Sequence, residues 1–189
     1  MTPTETATEE RLTADEFLRR HGDESGVELV MGRIVRCLTP GAPYGYVSSA
    51  ITALIHAFVR QHKLGRVFSH DTFVRTKRGE GGESVRGPDV AFVSFERLPA
   101  RELTKGPMPV PPNLVVEVRS PRDRISQLSA KASEYIEAGV TVVLVIDPDT
   151  ESAAVYREDE FPIRMHNGDE LTLPDVLPGF SVRVAALFT

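Results

Sequence analysis

Apolar residues recur at helical spacing in three parts of the chain. Residues 44–65 and 120–139 have apolar positions three and four residues apart, which predicts two helices that each bury one face. A shorter helix is predicted over residues 12–21, where Thr13 and Glu16 have the spacing of a capping box. The buried stripe of the helix within 120–139 is expected to comprise Ile125, Leu128, Ala132, Tyr135 and Ile136.

Short apolar runs between these helices predict strands. The expected strands are VELV and RIVR around a turn at Met31-Gly32, then residues 66–76, 88–93, 112–118, 140–147 and 153–157, with short irregular strands in 169–188. Residues 140–147 form the most apolar run and are expected at the centre of the sheet. Residues 77–87 are charged and glycine-rich, and we expect a loop there. The element order predicts an α/β fold, in which a mixed sheet is packed by a few helices.

Length and composition indicate one globular domain. The chain has 189 residues, of which 41% are hydrophobic and 26% charged. Residues 1–11 are rich in Thr and Glu and are expected to be a disordered tail, which leaves residues 12–189 for the domain. No run approaches the roughly 20 apolar residues of a membrane span, and the N-terminus lacks the pattern of a signal peptide. We therefore expect a cytoplasmic protein that has no contact with membranes.

Cysteine content and net charge exclude some classes of protein. The single Cys37 excludes an internal disulfide framework and a cysteine-rich zinc site. The formal net charge of -5 argues against a protein that coats nucleic acid nonspecifically. An enzyme with a local basic groove remains compatible with that charge.

Four charged residues stand where packing would favour neutral ones. Glu28 lies inside VELV, Asp89 opens the strand PDVAFV, Glu117 lies inside LVVEV, and Lys131 lies on the helix that follows. Burying a carboxylate among apolar side chains costs several kcal/mol unless a partner compensates for it. Each of these carboxylates therefore needs a partner, and the kind of partner indicates the chemistry.

Asp89 and Glu117 would face the same side of the sheet if their strands are neighbours. Two close carboxylates repel each other, and a divalent cation removes that repulsion. Mg²⁺ takes oxygen ligands, usually one or two carboxylates together with waters and phosphate oxygens. Lys131 flanks the buried stripe of its helix and could reach Glu117. There it could orient a water, help to deprotonate it, or stabilise charge on a phosphoryl group. Such a set suits metal-assisted hydrolysis of phosphodiesters.

Each of the four residues also has a purely structural interpretation. These alternatives are a turn aspartate at Asp89, an ion pair of Glu117 with Arg119, Arg86 or Lys131, an exposed hairpin residue at Glu28, and a surface lysine at Lys131.

Several motifs taken together resemble the PD-(D/E)XK nuclease superfamily. GPDVAFV, NLVVEVRSP, KASEYIEAGV and LVIDP carry the resemblance, and more narrowly they resemble its Uma-two family of restriction-endonuclease-like proteins. VELVMGRIVR and LPGFSVRVAALF resemble the opening hairpin and the ending of that family, so the similarity runs from about Leu12 to Phe188. Each motif alone is weak, and the set is specific. The resemblance implies a restriction-endonuclease-like mixed central sheet flanked by helices, with added β-hairpins.

The resemblance also implies a function and a set of site residues. It implies a Mg²⁺- or Mn²⁺-dependent endonuclease that acts on DNA, with Asp89 and Glu117 as metal ligands, Glu28 as a third acidic member and Lys131 as the basic member. Arg119 stands where the superfamily motif usually has its lysine. Arginine stays protonated, so it can bind phosphate but cannot act as a general base. Either the lysine has moved to Lys131, or Arg119 is the catalytic cation, or the protein is inactive.

A second departure is Tyr44, where related sequences often carry a histidine. Arg86, Arg119 and Arg122 flank the predicted site and are expected to contact phosphates. The alternative function is an inactive module of nuclease fold that binds a protein or a nucleic acid, and a weaker one is the hydrolysis of another phosphoester. A homodimer is expected by analogy, because cutting both strands requires two sites. The sequence does not distinguish DNA from RNA.

Overall fold

A computed structural model of the protein describes most of the chain. The described residues are 11–37, 41–69, 72–77, 82–100, 105–121 and 123–189. Nearly all of the predicted tail, and also Arg122, lie outside the described residues.

The described residues form three α-helices and one short 3-10 helix. The helices are α1 Ala14–His21, α2 Ala42–His62 and α3 Ile125–Glu137, with the 3-10 helix at Val184–Leu187. The predicted capping box is confirmed at α1, where the Thr13 hydroxyl accepts from Glu16 N at 3.2 Å and Glu16 Oε2 accepts from Thr13 N at 2.9 Å. The helix α2 ends at Lys63, which adopts a left-handed φ of 55°.

Twelve strands make up three sheets in the described part of the chain. The strands are β1 Val27–Val30, β2 Arg33–Arg36, β3 Gly65–Ser69, β4 Val74–Lys77, β5 Ser84–Arg86, β6 Val90–Ser94, β7 Leu114–Val118, β8 Val142–Asp147, β9 Ser152–Tyr156, β10 Ile163–His166, β11 Glu170–Leu173 and β12 Leu177–Arg183. The central sheet has the order β10-β9-β8-β7-β6-β3, and β7 and β8 are its parallel pair. A small sheet has the order β2-β1-β5-β4, and β11 pairs with β12. The predicted mixed sheet with flanking helices and added hairpins is confirmed.

The register of the central sheet brings Asp89 near Glu117. β6 and β7 are antiparallel neighbours, with Val90 paired to Val116. Asp89 immediately precedes Val90 and Glu117 immediately follows Val116, so the two carboxylate residues stand at the same end of this strand pair. The predicted adjacency of these two strands is therefore confirmed.

Alternate residues of β7 face two different helices. Val116 and its neighbours two residues away pack into the core under α2, whereas Val115 packs into the core under α3. Glu117 follows the alternation of Val115 and therefore faces α3. It occupies a position that an apolar residue fills elsewhere along the strand, which is why it needs polar partners from that helix.

The small sheet has an apolar core of its own with α1. This third core comprises Leu12, Ala14, Phe17, Val27, Leu29, Phe73 and Val85. Leu29 pairs with Val85, so the flanking residues Glu28 and Arg86 point to the opposite face of the small sheet. That face meets α3.

The sequence prediction missed strand β10 at the edge of the central sheet, and three of its other details are wrong. The segment 66–76 is not one strand: it divides into β3, which pairs with β6 in the central sheet, and β4, which belongs to the small sheet. The expected loop at 77–87 includes strand β5, where Ser84 Oγ accepts from Met31 N at 3.0 Å. Ile125 is 51% exposed rather than buried, because it is the first residue of α3 and lies beyond the packed turns of the helix.

In the described part of the chain, none of the helices has both the length and the apolar character that crossing a bilayer requires.

Candidate active site

The predicted residues Glu28, Asp89, Glu117 and Lys131 converge in the structure. The three carboxylate residues are 5%, 6% and 5% exposed in that order, although they come from different strands or strand ends. The ammonium of Lys131 lies 2.9 Å from oxygens of Glu117 and 2.9 Å from Oε1 of Glu28. The predicted reach of Lys131 towards Glu117 is confirmed. The exposed-hairpin interpretation of Glu28 and the surface-lysine interpretation of Lys131 are both wrong.

Asp89 is held at the end of β6 by donors from two elements. Its Oδ2 accepts from Val118 N at 2.7 Å, and its Oδ1 accepts from the hydroxyl of Tyr44 on α2. Burial raises the pKa of Tyr44 well above its usual range, and the negative charge of Asp89 adds to that effect. Tyr44 therefore stays protonated and acts as a donor to Asp89.

Glu117 is a buried carboxylate with partners on α3. It accepts from Lys131 and, at 2.9 Å, from the hydroxyl of Tyr135. Burial raises the pKa of Glu117 to about 7, because the negative charges of Asp89 and Glu28 act in the same direction and Lys131 only partly opposes them. A carboxyl with this pKa in a buried position is typical of a functional site.

Glu28 uses both carboxylate oxygens on partners within the protein. Its Oε1 accepts from Gly87 N at 3.1 Å as well as from Lys131, and its Oε2 accepts from Arg86 at 3.0 Å. Burial alone would raise the pKa of Glu28, but the positive charges of Lys131 and Arg86 outweigh it and lower the pKa. Glu28 is therefore ionised at neutral pH.

Lys131 is held as an ammonium between two carboxylates. Burial would lower the pKa of Lys131, but Glu117 and Glu28 together raise it above its usual value. In the arrangement described, this side chain donates protons in hydrogen bonds rather than accepting them.

Arg86 lies inside the protein. Its side chain is 12% exposed, and its guanidinium donates to Glu28 and to both oxygens of Glu134, at 3.1 Å and 2.5 Å. Burial would lower the pKa of Arg86, but Glu134 and Glu28 raise it. The expected contact of this side chain with phosphates would require these ion pairs to be given up.

Arg119 joins the ends of two parallel strands. It donates to Asp147 at 2.9 Å and to the carbonyl oxygen of Asp123 at 3.2 Å, and Asp149 lies 3.5 Å away. The ion pair observed for Glu117 is with Lys131. Arg122, the third arginine expected to bind nucleic acid, lies outside the described residues.

The carboxylates partly fit a divalent cation. Among the described residues, Lys131 and Arg86 form the ion pairs of Glu28, Glu117 and Glu134, so three carboxylates share two cationic side chains. The oxygen-only donors Asp89 and Glu117 suit Mg²⁺ or Mn²⁺, which complete their shells with water. Among the described residues, no three His, Cys, Asp or Glu side chains stand close enough together to hold a metal ion. The expected third ligand, Glu28, instead contacts Lys131, Arg86 and Gly87.

A groove of about 540 Å³ leads along α2 to Asp89. Its lining consists mostly of small or hydroxyl-bearing residues: Tyr44, Gly45, Ser48, Ser49, Thr52, Ala53, His56, Ser69 and Asp89. A substrate in this groove would contact Asp89.

Three site residues were not predicted as such from the sequence: Tyr44, Glu134 and Tyr135. Lys131, Glu134 and Tyr135 are three and four residues apart on α3, so they share one face of the helix. That spacing is the signal that could have identified Glu134 and Tyr135. For Tyr44, the signals are its place at the start of a predicted core-facing helix and the histidine that related sequences often carry there.

Comparisons with known proteins show the family and the fold of the chain. The family model described as "Uma2: Putative restriction endonuclease" matches residues 14–185. A solved structure described as a putative nuclease belonging to DUF820, from Anabaena variabilis ATCC 29413, is similar with a TM-score of 0.78 and 21% sequence identity, covering 94% of this chain and 97% of that chain. At this identity the likeness shows the fold. No curated protein matches the chain.

Proposed function

The chain belongs to the Uma2 family of restriction-endonuclease-like proteins, and on that premise we propose that it is a metal-dependent endonuclease that hydrolyses phosphodiester bonds of DNA. The observation that carries the proposal is the buried contact of Glu117 with Lys131 near Asp89, the carboxylate that lines the groove along α2. Family membership alone does not distinguish an active endonuclease from an inactive protein of the same fold.

Asp89 and Glu117 are the proposed ligands of Mg²⁺ or Mn²⁺. They stand at the same end of two neighbouring strands, and the negative charge of Asp89 contributes to the raised pKa of Glu117, which supports this choice. When bound, the ion would activate water and neutralise charge on the scissile phosphate. The ligand role of Glu28 stays a prediction, since its present contacts favour holding Lys131.

Lys131 is the proposed catalytic cation. Its ammonium is bound by two carboxylates, which favours the orientation of water and the stabilisation of phosphoryl charge over the removal of a proton. Arg119 is less suited to this role, because it is tied to Asp147 and Asp123. The phosphate contact predicted for Arg122 stays a prediction.

Cleavage of defined substrates tests the proposal. Supercoiled plasmid, linear duplex DNA and an RNA of matched length are incubated with the protein and Mg²⁺, Mn²⁺ or EDTA. We expect metal-dependent internal cleavage of DNA that is lost in Asp89→Asn, Glu117→Gln and Lys131→Met and kept in Glu137→Gln, a matched change on α3 away from the cluster. Cleavage that survives the first three changes would reject the site, and preferential cleavage of RNA would reject the substrate.

The second candidate is an inactive nuclease-fold module that binds a protein or a nucleic acid. The observation that favours it is the bridge from Lys131 to Glu117 and Glu28, which satisfies these carboxylates without a metal. Calorimetry separates the two functions: saturable binding of Mn²⁺ that is lost in Asp89→Asn supports the enzyme, whereas an absence of binding supports the module.

A homodimer belongs to the proposal, because two sites are needed to cut both strands of a duplex. Sedimentation equilibrium of the cleavage-deficient variant Glu117→Gln, alone and bound to duplex DNA, measures the number of chains in each species. Two chains per duplex are expected, and one chain per duplex would contradict the dimer.

A further inference from the structure

Four charged side chains form a closed ring beside Glu117. Lys131 contacts Glu28 at 2.9 Å, Glu28 contacts Arg86 at 3.0 Å, and Arg86 contacts Glu134 at 2.5 Å. Lys131 and Glu134 are three residues apart on α3, so the helix closes the ring. Each member therefore constrains the position of the others.

The ring spans the junction between two separately packed parts of the protein. Glu28 and Arg86 belong to the small sheet, which packs with α1 in its own apolar core, whereas α3 packs on the central sheet. Directional ion pairs thus connect the two parts at the place where Lys131 meets Glu117. The position of Glu28 relative to α3 depends on these contacts.

Arg86 is the rigid element of the ring. Its guanidinium donates through Nε and Nη2 to the two oxygens of Glu134 and through Nη1 to Glu28. This two-point contact fixes the plane of the guanidinium, as a single hydrogen bond would not. Glu134 is itself held by the hydroxyl of Thr76 on β4.

We propose that Glu134 is a positioning residue of the site: through Arg86 and Glu28 it holds the ammonium of Lys131 against Glu117. The kinetic part of this inference rests on the proposed nuclease function, and the geometric part does not. In the described part of the chain, the hydrogen bonds of the Glu134 carboxylate are to Thr76 and Arg86, so it acts on Lys131 through other side chains. Arg86 then serves the same positioning role.

The geometric part is tested on the ammonium signal of Lys131. The chain has four lysines, and the other three are exposed, so a side-chain ¹⁵N–¹H spectrum of lysine-labelled protein should contain one strongly protected ammonium signal. Its loss in Lys131→Met assigns the signal. We expect Glu134→Gln to increase its hydrogen exchange by about tenfold, and Glu137→Gln to leave it unchanged.

Thr76→Val provides a milder second variant if Glu134→Gln does not fold. It removes one hydrogen bond to Glu134 and leaves every charge in place, so a smaller increase in the same exchange rate is expected. The inference would be overturned if Glu134→Gln has the same exchange rate as the wild type. If only Thr76→Val folds, an unchanged rate in that variant has the same meaning. Both results are independent of whether the protein cleaves DNA.

The kinetic part separates positioning from substrate contact. Glu134→Gln should lower kcat about tenfold with KM and the salt dependence of DNA binding unchanged. If Arg86 instead contacts a phosphate, Arg86→Gln should raise KM and reduce the salt slope by about one, which would contradict the positioning role of Arg86. A wild-type protein that cuts no DNA, but whose Lys131 signal responds to Glu134→Gln, would refute the function and leave the geometric inference in place.

Discussion

Lys131 of α3 and Glu117 of β7 form a buried ion pair with 2.9 Å between the ammonium nitrogen and the carboxylate. The strand supplies a carboxylate at a position that apolar residues fill on either side, and the helix supplies the cation that makes its burial tolerable. The same cation is the proposed catalytic group. Stability and activity are therefore coupled at this pair, and the coupling can be measured.

Removing Lys131 should destabilise the protein, and a divalent metal should offset the loss. Lys131→Met leaves Glu117 and Glu28 buried without their shared cation, which costs about 3–5 kcal/mol. Urea unfolding with and without 5 mM Mn²⁺ measures the change. We expect metal to stabilise Lys131→Met more than the wild type, because the metal supplies the missing positive charge. An equal response in both proteins would argue against metal binding at these carboxylates.

Metal affinity should increase with pH through neutrality. Burial raises the pKa of Glu117 to about 7, and a metal ligand must be ionised, so affinity should fall about tenfold per pH unit below that value. Calorimetry in two buffers of different ionisation enthalpy measures the proton released on binding. Glu117→Gln is the control in which this release should vanish. If almost no protons are released on metal binding at pH 6, the assignment of Glu117 as a metal ligand would be contradicted.

The same shift predicts the opposite trend for the metal-free protein. The folded state holds the Glu117 proton more tightly than the unfolded state, whose pKa is near the ordinary value of 4.5. The free energy of unfolding should therefore fall as pH rises from about 5 to 8, by an amount on the order of 3 kcal/mol. Urea titrations across this range test the sign, and stability that rises with pH in the wild type but not in Glu117→Gln would refute it.

The sequence was sufficient to predict which charged residues form the site, but it did not predict the side chains that hold them in place. Glu117 is recognisable because the residues on both sides of it are apolar, and Lys131 because it flanks a regular apolar stripe. Glu134 gives no such signal, since a glutamate on a helix is usually solvated. Its role depends on Arg86, a residue far away in the chain that the small sheet carries to α3.

The same limit explains the errors in the fold. The apolar pairs Val67-Phe68 and Phe73-Val74 stand on either side of the polar residues 69–72, and this pattern does not reveal which sheet each pair joins. Pairing partners decide that division, and they come from distant parts of the sequence. The central strands β6, β7, β8 and β9 were located correctly, whereas the edge strand β10 was not predicted.

The hydroxyl of Tyr44 should compete with a metal for Asp89. Tyr44→Phe removes a donor to Asp89, which should lower the free energy of unfolding by about 1 kcal/mol without metal. Because Asp89 loses a competing partner, we expect Mn²⁺ to bind severalfold more tightly. Calorimetry and urea unfolding on the same sample separate the two effects. Weaker metal binding in Tyr44→Phe would mean that the tyrosine orients Asp89 as a ligand instead.

Arg119 should contribute to stability rather than to DNA binding. It joins the ends of β7 and β8 through Asp147 and the carbonyl of Asp123, and its side chain is largely buried. Arg119→Gln should therefore lower the free energy of unfolding by roughly 1 kcal/mol, a value reduced by partial solvent screening. The salt dependence of DNA affinity, measured by fluorescence anisotropy, should keep the wild-type slope. A slope reduced by about one would show that Arg119 leaves its aspartates to contact a phosphate, as the sequence prediction has it.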